Sequence, residues 1–156
     1  MSRRVLVCGM SGTGKSTLAA ELVARGHRAV DVDRGYVVPT SDGRQLWDEA
    51  RIEALLDEPA QLLFVVGLEE NGVRFLPRFE AVVLLSAPVE VLTERLASRT
   101  TNPFGKDPAE LARILDDLRE VEPLLRRVAT HEIDTSRALD DVVTEVERIS
   151  QFQTRT

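Results

Sequence analysis

Short apolar runs alternate with amphipathic stretches along this chain. The first two runs, over 5–8 and 29–33, enclose Lys15–Arg25, where apolar residues recur every three or four positions. This spacing predicts a helix, and the runs on either side predict strands, so the chain is expected to begin with a β-α-β unit. The runs over 62–67 and 81–85 are continuously apolar, which is typical of parallel strands that are covered on both faces.

The segments between these strands are less regular. Residues 34–43 are rich in glycine, proline, serine and aspartate, which predicts a loop. Apolar residues over 46–56 then have helical spacing, and Pro59 ends that helix. The second strand is thus followed by an insert of about 34–60. Residues 69–78 contain Asn-Gly and a proline, and their pattern leaves a loop and a short helix equally open.

Helical spacing returns over 88–97 and is followed by a stretch rich in helix breakers, 99–107, which we interpret as a flexible lid. The next helix meets Pro123, which is expected to break or kink it, with a second short helix beyond. A brief strand over 131–134 and an amphipathic helix over 139–149 complete the pattern.

Strands and helices therefore alternate through the whole chain. Right-handed crossovers between such strands give a parallel sheet with helices on both faces, which is a three-layer α/β fold. Five strands and 156 residues fit a single domain over 1–156. In this architecture ligands bind at the carboxyl ends of the strands, so the loops at that edge are the candidate site.

Charge and composition narrow the class of partner. The chain has 26 acidic and 20 basic residues, a net charge of -6, which argues against nucleic acid as the main partner. No apolar run approaches the ~18–20 residues needed to cross a bilayer. The lone Cys8 lies in the first apolar run, where a buried thiol is expected. We therefore expect a cytoplasmic protein with a small-molecule partner, as a monomer or a homodimer.

The strongest motif follows the first strand directly. Residues Gly9-Met10-Ser11-Gly12-Thr13-Gly14-Lys15-Ser16 have the spacing G-x-x-x-x-G-K-S between a strand and a helix. In this context the backbone N–H groups bind phosphate oxygens, Lys15 reaches the β- and γ-phosphates, and Ser16 binds Mg²⁺. The predicted nucleotide-binding residues of this segment are Gly9, Met10, Ser11, Gly12, Thr13, Gly14, Lys15, Ser16 and Thr17.

Two carboxylates end the predicted second strand. Asp31 and Asp33 are two positions apart, so in an extended backbone their side chains share one side and face the same ligand. One could hold magnesium while the other orients or deprotonates an acceptor hydroxyl. We assign Asp31 to the metal and Asp33 to the acceptor, although the pattern alone does not distinguish the two roles.

Two arginines lead into the predicted lid. Arg95 and Arg99 are four positions apart on one helical face, and phosphoryl transfer needs cations around its developing charge. Arg99 is therefore assigned, with Lys15, to charge stabilisation.

Weaker candidates for an acceptor site lie in the insert and after the third apolar strand. Solvated loop residues, or core packing in the case of the tryptophan, explain them almost as well. They are Tyr36, Trp47, Arg51, Glu69, Asn71 and Arg74.

Taken together, these motifs resemble the P-loop kinases of the nucleoside monophosphate kinase and shikimate kinase superfamily. The similarity rests on Gly9–Ser16, on Asp31-Val32-Asp33 and on Arg95-Leu96-Ala97-Ser98-Arg99. It implies a five-stranded parallel sheet and an ATP and Mg²⁺ dependent phosphotransferase. By that resemblance Arg95 packs near the adenine, Arg99 contacts phosphates, and the segment 134–137, with Ser136 and Arg137, lies beside the base.

The chain departs from shikimate kinases where the third of the five strands ends. Gly67-Leu68-Glu69 replaces their glycine triplet, and their shikimate-binding arginines have no match, so shikimate does not follow from the resemblance. We predict transfer of the γ-phosphoryl group of ATP to a hydroxyl of a small metabolite. A nucleoside monophosphate kinase and a regulatory nucleotide-binding ATPase are the alternatives, and the sequence does not separate ATP from GTP.

Overall fold

A computed structural model describes residues 2–10, 12–98 and 108–152. Its strands are β1 (Arg3–Gly9), β2 (Arg28–Asp31), β3 (Val37–Pro39), β4 (Gln45–Trp47), β5 (Leu62–Val66), β6 (Ala81–Ser86) and β7 (His131–Asp134). Its α-helices are α1 (Lys15–Ala24), α2 (Glu49–Leu56), α3 (Val89–Ser98), α4 (Pro108–Val128) and α5 (Leu139–Phe152). A 3₁₀ helix spans Glu70–Arg78, the segment whose pattern left loop and helix open.

Five strands form one parallel sheet in the order β2-β5-β1-β6-β7. The continuously apolar strands β1, β5 and β6 occupy its centre and are buried along most of their length. Parallel pairing places the ends of all five strands at one edge of the sheet, which is where the glycine-rich loop follows β1. The predicted three-layer fold with a five-stranded parallel sheet is therefore confirmed.

Two apolar clusters cover the two faces of the sheet. Alternate residues of β1 point to opposite faces, so Val5 and Val7 pack with α1 and α5, whereas Leu6 and Cys8 pack under α2 and the 3₁₀ helix. Cys8 is 1% exposed, so the expected burial of the thiol is confirmed, and this burial raises its pKa to about 11. Among the described residues no helix combines the length and apolar character that crossing a membrane requires.

The insert after β2 differs from its prediction. Residues predicted as loop and as the first turn of a helix form instead a β-hairpin, in which Val37 pairs with Trp47 and Pro39 with Gln45. The Thr40 backbone N–H donates to the Arg44 carbonyl and closes the turn. Helix α2 starts only at Glu49, because the Asp48 side chain accepts a hydrogen bond from the Arg51 backbone N–H and caps it.

Pro123 does not end its helix, because α4 is one helix from Pro108 to Val128, so the second short helix predicted beyond the proline is wrong. A proline costs the helix one hydrogen bond to the carbonyl four residues earlier, which here belongs to Arg119. Both residues are exposed to solvent, so water can hydrate that carbonyl and the helix continues.

Arg4 has an unusual environment for a cation because it is 5% exposed and, among the described residues, its side chain donates to backbone carbonyls alone. Nε donates to the Leu56 carbonyl at 3.0 Å, Nη1 to that of Ala60 at 2.8 Å and Nη2 to that of Glu58 at 2.5 Å. These bonds satisfy the carbonyls at the C-terminal end of α2 and fix the chain before β5.

Arg4→Leu is expected to lower the free energy of unfolding by about 3 kcal/mol, because several buried carbonyls lose charge-assisted bonds. Urea denaturation measures this difference. The control is Arg28→Leu, which removes an exposed pair with Glu58 and should cost less than about 1 kcal/mol. Equal losses in the two variants would contradict the assignment of Arg4 as a structural cation.

Candidate active site

The glycine-rich loop wraps the start of α1. Gly14 has φ of 94° and immediately precedes Lys15, a backbone geometry that a glycine adopts without strain. Thr13 is fully buried beneath the loop, where its hydroxyl donates to the Met10 carbonyl at 2.8 Å. The loop is therefore held in shape by its own contacts.

The first turn of α1 is suited to an anion. Its leading N–H groups have no partner within the helix. The turn contains no acidic residue, and it carries the Lys15 ammonium group. Nζ of Lys15 donates to the Gly9 carbonyl at 2.6 Å, which folds the side chain back over the loop. Phosphate oxygens bound at this helix terminus would lie within reach of both the N–H groups and the ammonium group.

Arg95 connects two walls of the site. Its Nη1 donates to the Gly12 carbonyl at 3.1 Å and to the Thr135 hydroxyl at 3.0 Å, and its Nη2 donates to the Thr135 carbonyl. The side chain thus joins the glycine-rich loop to the segment after β7. This contact orients the loop, and it places the guanidinium group at the side of the cleft that leads to α5.

The described residues line a cleft of about 780 Å³ beside the loop, within the usual size range of small-molecule sites. The residues that line it include predicted nucleotide-binding and acceptor residues and their neighbours: Met10, Gly12, Thr13, Gly14, Lys15, Ser16, Thr17, Asp33, Arg34, Arg95, Thr135 and Arg137. Ser136 instead directs its hydroxyl and its backbone N–H to Asp134 at 2.6 and 2.8 Å. The segment of 134–137 therefore borders the cleft through Thr135 and Arg137.

Ser16 and Asp31 lie together at the mouth of the loop. The Ser16 hydroxyl donates to Oδ2 of Asp31 at 3.0 Å. Hydroxyl and carboxylate oxygens are the hard ligands that Mg²⁺ prefers, so this pair fits the expected cation. No cluster of three or more His, Cys, Asp or Glu side chains suited to a metal occurs in 2–10, 12–98 and 108–152, and Mg²⁺ usually needs few protein ligands.

Asp33 does not continue the second strand, which corrects the predicted strand end. Strand β2 stops at Asp31, and the Asp33 backbone N–H turns back to Oδ1 of Asp31 at 3.2 Å. The two carboxylates therefore do not share one side of an extended backbone. They still lie at the same sheet edge, but Asp31 meets Ser16 while Asp33 lies over Gly67 at the end of β5.

Gly67 makes room for the Asp33 carboxylate. A Cβ at Gly67 would stand 2.9 Å from Oδ1 of Asp33, and the backbone there has φ of 117°. Burial raises the pKa of Asp33 above its usual value, with Lys15 opposing this shift and Asp31 adding to it. Asp33 is thus an accessible carboxyl group that protein atoms partly enclose, at the edge of the phosphate site.

Gly67→Ala is expected to destabilise the fold more than Gly43→Ala does. Gly43 has φ of 84° and nothing within 4 Å of its Cβ position, so its variant measures the backbone strain alone, about 1–2 kcal/mol. Urea denaturation of both variants isolates the clash with Asp33. Adding Asp33→Ala should recover part of the free energy of unfolding lost in Gly67→Ala and none of that lost in Gly43→Ala. If the single-variant losses simply added in both double variants, this contact would be contradicted.

Glu69 is the group that the residue pattern underrated. Its carboxyl group follows β5, is half-buried, and lies close enough to Asp33 and Lys15 for both charges to act on it. Burial, and then repulsion from Asp33, raise the pKa of Glu69 to about 7, and Lys15 opposes the shift. Its position at the carboxyl end of a central strand was the signal in the sequence.

Glu69→Gln should make the protein more stable above pH 7 and leave stability unchanged near pH 4.5. Because the folded-state pKa of about 7 exceeds the ordinary 4.5, the wild type is stabilised by its bound proton at low pH and loses that contribution as the pH rises. The glutamine has no proton to lose, so we expect a gain of about 1–2 kcal/mol at pH 8. Thermal melts at pH 5 and pH 8 measure it, and an equal gain at both pH values would contradict the raised pKa.

The other acceptor-site candidates have structural contacts. Asn71 accepts a hydrogen bond from the Trp47 backbone N–H at 2.9 Å and donates to the Trp47 carbonyl at 3.0 Å. Arg74 pairs with Glu49 at 2.8 Å. Trp47 is 1% exposed and belongs to the core. The Asn71 bonds hold the hairpin on the 3₁₀ helix, and the Arg74 pair joins that helix to α2.

Three predicted features lie outside the described residues. They are Ser11, Arg99 and the lid of about 99–107. The role of Arg99 in charge stabilisation therefore stays a prediction from the sequence.

The fold and the site together define a P-loop phosphotransferase. The N-terminus of α1 and Lys15 follow the glycine-rich loop, Ser16 and Asp31 form an oxygen pair at its mouth, and Asp33 lines the same cleft. Transfer needs little more than this positioning and charge stabilisation.

Comparisons with known proteins agree with this class. The family described as AAA domain matches residues 5–116. Shikimate kinase of Mycobacterium avium is 30% identical, over 88% of this chain and 86% of its own, and shikimate kinase 2 of Yersinia enterocolitica is 27% identical over 94% of each. The structure of shikimate kinase from Acinetobacter baumannii in complex with shikimate has a TM-score of 0.70 at 21% identity, over 100% of this chain and 97% of its own.

The chain belongs to the family described as AAA domain and to the P-loop kinases related to shikimate kinase. It is a small-molecule kinase that carries out ATP-dependent phosphoryl transfer to a hydroxyl group of a small metabolite.

Proposed function

We propose that this kinase binds ATP as its Mg²⁺ complex in the cleft and uses Asp33 to direct the acceptor hydroxyl at the γ-phosphate. The observation that carries the proposal is the place of Asp33, which lines the same cleft as Lys15 and lies over Gly67 at the end of β5. The acidic overall charge and the relatedness to bacterial metabolic kinases support a small-molecule acceptor in the cytoplasm.

Each group has one role in this proposal. The N–H groups of α1 and the Lys15 ammonium group bind the phosphates and stabilise the charge that develops during transfer. Ser16 and Asp31 would hold Mg²⁺, and the bound ion would neutralise phosphate charge. Arg95 joins the glycine-rich loop to the segment at Thr135 through its hydrogen bonds. Thr135 and Arg137 border the nucleotide base.

Asp33 accepts the proton of the attacking hydroxyl, either as a hydrogen bond or fully, while the oxygen attacks phosphorus and the bond to ADP breaks. Its raised pKa favours this role, since a more basic carboxylate accepts a proton more readily. A phosphate acceptor, as in a nucleoside monophosphate kinase, would not need this carboxylate.

A panel of acceptors tests the proposal. Purified protein is incubated with ATP and Mg²⁺ and with hydroxylated metabolites, nucleosides or nucleoside monophosphates, and ADP is measured above the background without acceptor. We expect ADP release with hydroxylated metabolites, and the panel includes shikimate because the relatives carry its name. Release with nucleoside monophosphates alone would support the alternative kinase, and release independent of any acceptor would support a regulatory ATPase.

A further inference from the structure

A second carboxyl group, which the transfer step itself does not use, lies at the end of β5 just beyond the contact of Gly67 with Asp33. Glu69 follows Gly67 by two residues, is half-buried, and is near enough to Asp33 and Lys15 for both charges to act on it. Within the described part of the chain no hydrogen bond or ion pair engages its carboxyl oxygens. By contrast, its neighbour Glu70 is occupied by Arg44 at 2.5 Å. Glu69 is therefore available to a ligand.

The arginines nearby are already paired with carboxylates of the chain. Arg44 binds Asp42 and Glu70, Arg51 binds Asp48, Arg74 binds Glu49, and Arg78 binds Asp57. These arginines belong to the insert and the 3₁₀ helix. Arg34, the first residue of the insert, lines the cleft, and it also borders a second, smaller pocket with Ser16 and Asp31.

We propose that Glu69 determines acceptor specificity: with Asp33 it binds an uncharged polyhydroxylated molecule, and it disfavours acceptors that carry a carboxylate. This inference rests on the proposed function, because it takes the Asp33 side of the cleft to receive the acceptor. Asp33 binds the hydroxyl that is phosphorylated, and Glu69 binds a second hydroxyl of the same molecule.

The charge balance of the cleft gives the physical reason. Lys15 carries a positive charge that acts on Glu69, and in the reacting complex phosphates engage that ammonium group. Asp33 and Glu69 then repel a third carboxylate at short range, whereas a hydroxyl can donate to either carboxylate or accept from a protonated one. A repulsive group is an effective way to exclude a competing substrate.

Matched acceptor pairs that differ only in charge test this inference. The pairs are shikimate with its uncharged carboxamide, and gluconate with glucitol, and kcat/KM is measured for wild type, Glu69→Gln and the control Glu70→Gln. The wild type should prefer the uncharged member at least tenfold. Glu69→Gln should reduce that preference at least fivefold, mainly through KM of the acceptor, with KM for ATP within twofold of wild type. Glu70→Gln should leave the preference within twofold.

Other outcomes separate this inference from the proposed function. If the wild type phosphorylates these acceptors but prefers the carboxylated member, or if Glu69→Gln keeps the wild-type preference, Glu69 is not the specificity residue and the kinase assignment stands. If the broader panel yields another hydroxylated acceptor, its kcat/KM should fall at least tenfold in Glu69→Gln, and an unchanged value overturns the inference. If no hydroxylated compound accepts phosphate, both fall together.

Discussion

Lys15→Met should lower kcat/KM for the transfer reaction by about a thousandfold or more, with loss of phosphorylated product to match. Lys15 is the first residue of α1, the helix whose N-terminus binds the phosphates. Its ammonium group supplies positive charge where negative charge develops in the transition state. Methionine keeps the length of the side chain and removes only the charge and its hydrogen bonds. Steady-state kinetics with varied ATP measure the loss.

The matched control for this variant is Arg119→Met. Arg119 is an exposed cation on α4 that pairs with Asp116 three residues away, so its loss should change kcat/KM less than twofold. Thermal melts of both proteins establish that they are folded. A rate for Lys15→Met within tenfold of the wild type would contradict the role assigned to the glycine-rich loop.

Asp33→Asn should lower kcat by about 10²–10⁴-fold while the affinity for ATP changes little. The amide retains the size of the side chain and can still contact a hydroxyl, but it cannot accept the proton. Nucleotide binding depends on the glycine-rich loop and on α1. Asp33 lies at the edge of both, and among the described residues its side chain forms no hydrogen bond with either. Titration of the nucleotide and steady-state kinetics separate the two effects.

Asp57→Asn is the control for that loss. Asp57 carries an exposed carboxylate that pairs with Arg78 and lies away from the cleft, so the same isosteric change should leave kcat within twofold. Wild-type turnover in Asp33→Asn, with the true acceptor and intact binding, would contradict its assignment as the group that orients or deprotonates the hydroxyl.

The sheet was predictable because its strands are encoded locally. Continuous apolar runs such as 62–67 and 81–85 are typical of buried parallel strands, and the helices between the strands have clear apolar periodicity. The hairpin of β3 and β4 was missed because its strands are only three residues long and because Asn71, which is distant in sequence, holds it in place. Pro123 was misjudged because its tolerance depends on exposure, which no local pattern shows.

The donor half of the site could also be predicted, since the motif of 9–16 specifies backbone geometry and side-chain chemistry together. The acceptor half could not. Asp33 was found through its spacing from Asp31, but the geometric reason was wrong, because β2 ends before it and a turn carries it over Gly67. The importance of Glu69 depends on burial and on its neighbour Asp33, which are properties of the assembled sheet edge.

The most direct test of phosphotransfer follows the γ-phosphoryl group itself. Wild-type protein is given Mg²⁺ and ATP labelled with ³²P at the γ-position, together with each acceptor that stimulates ADP release, and the products are separated. The account predicts one labelled phosphate ester of the acceptor for each ADP formed. Label recovered only as inorganic phosphate, in amounts that match the ADP, would contradict it.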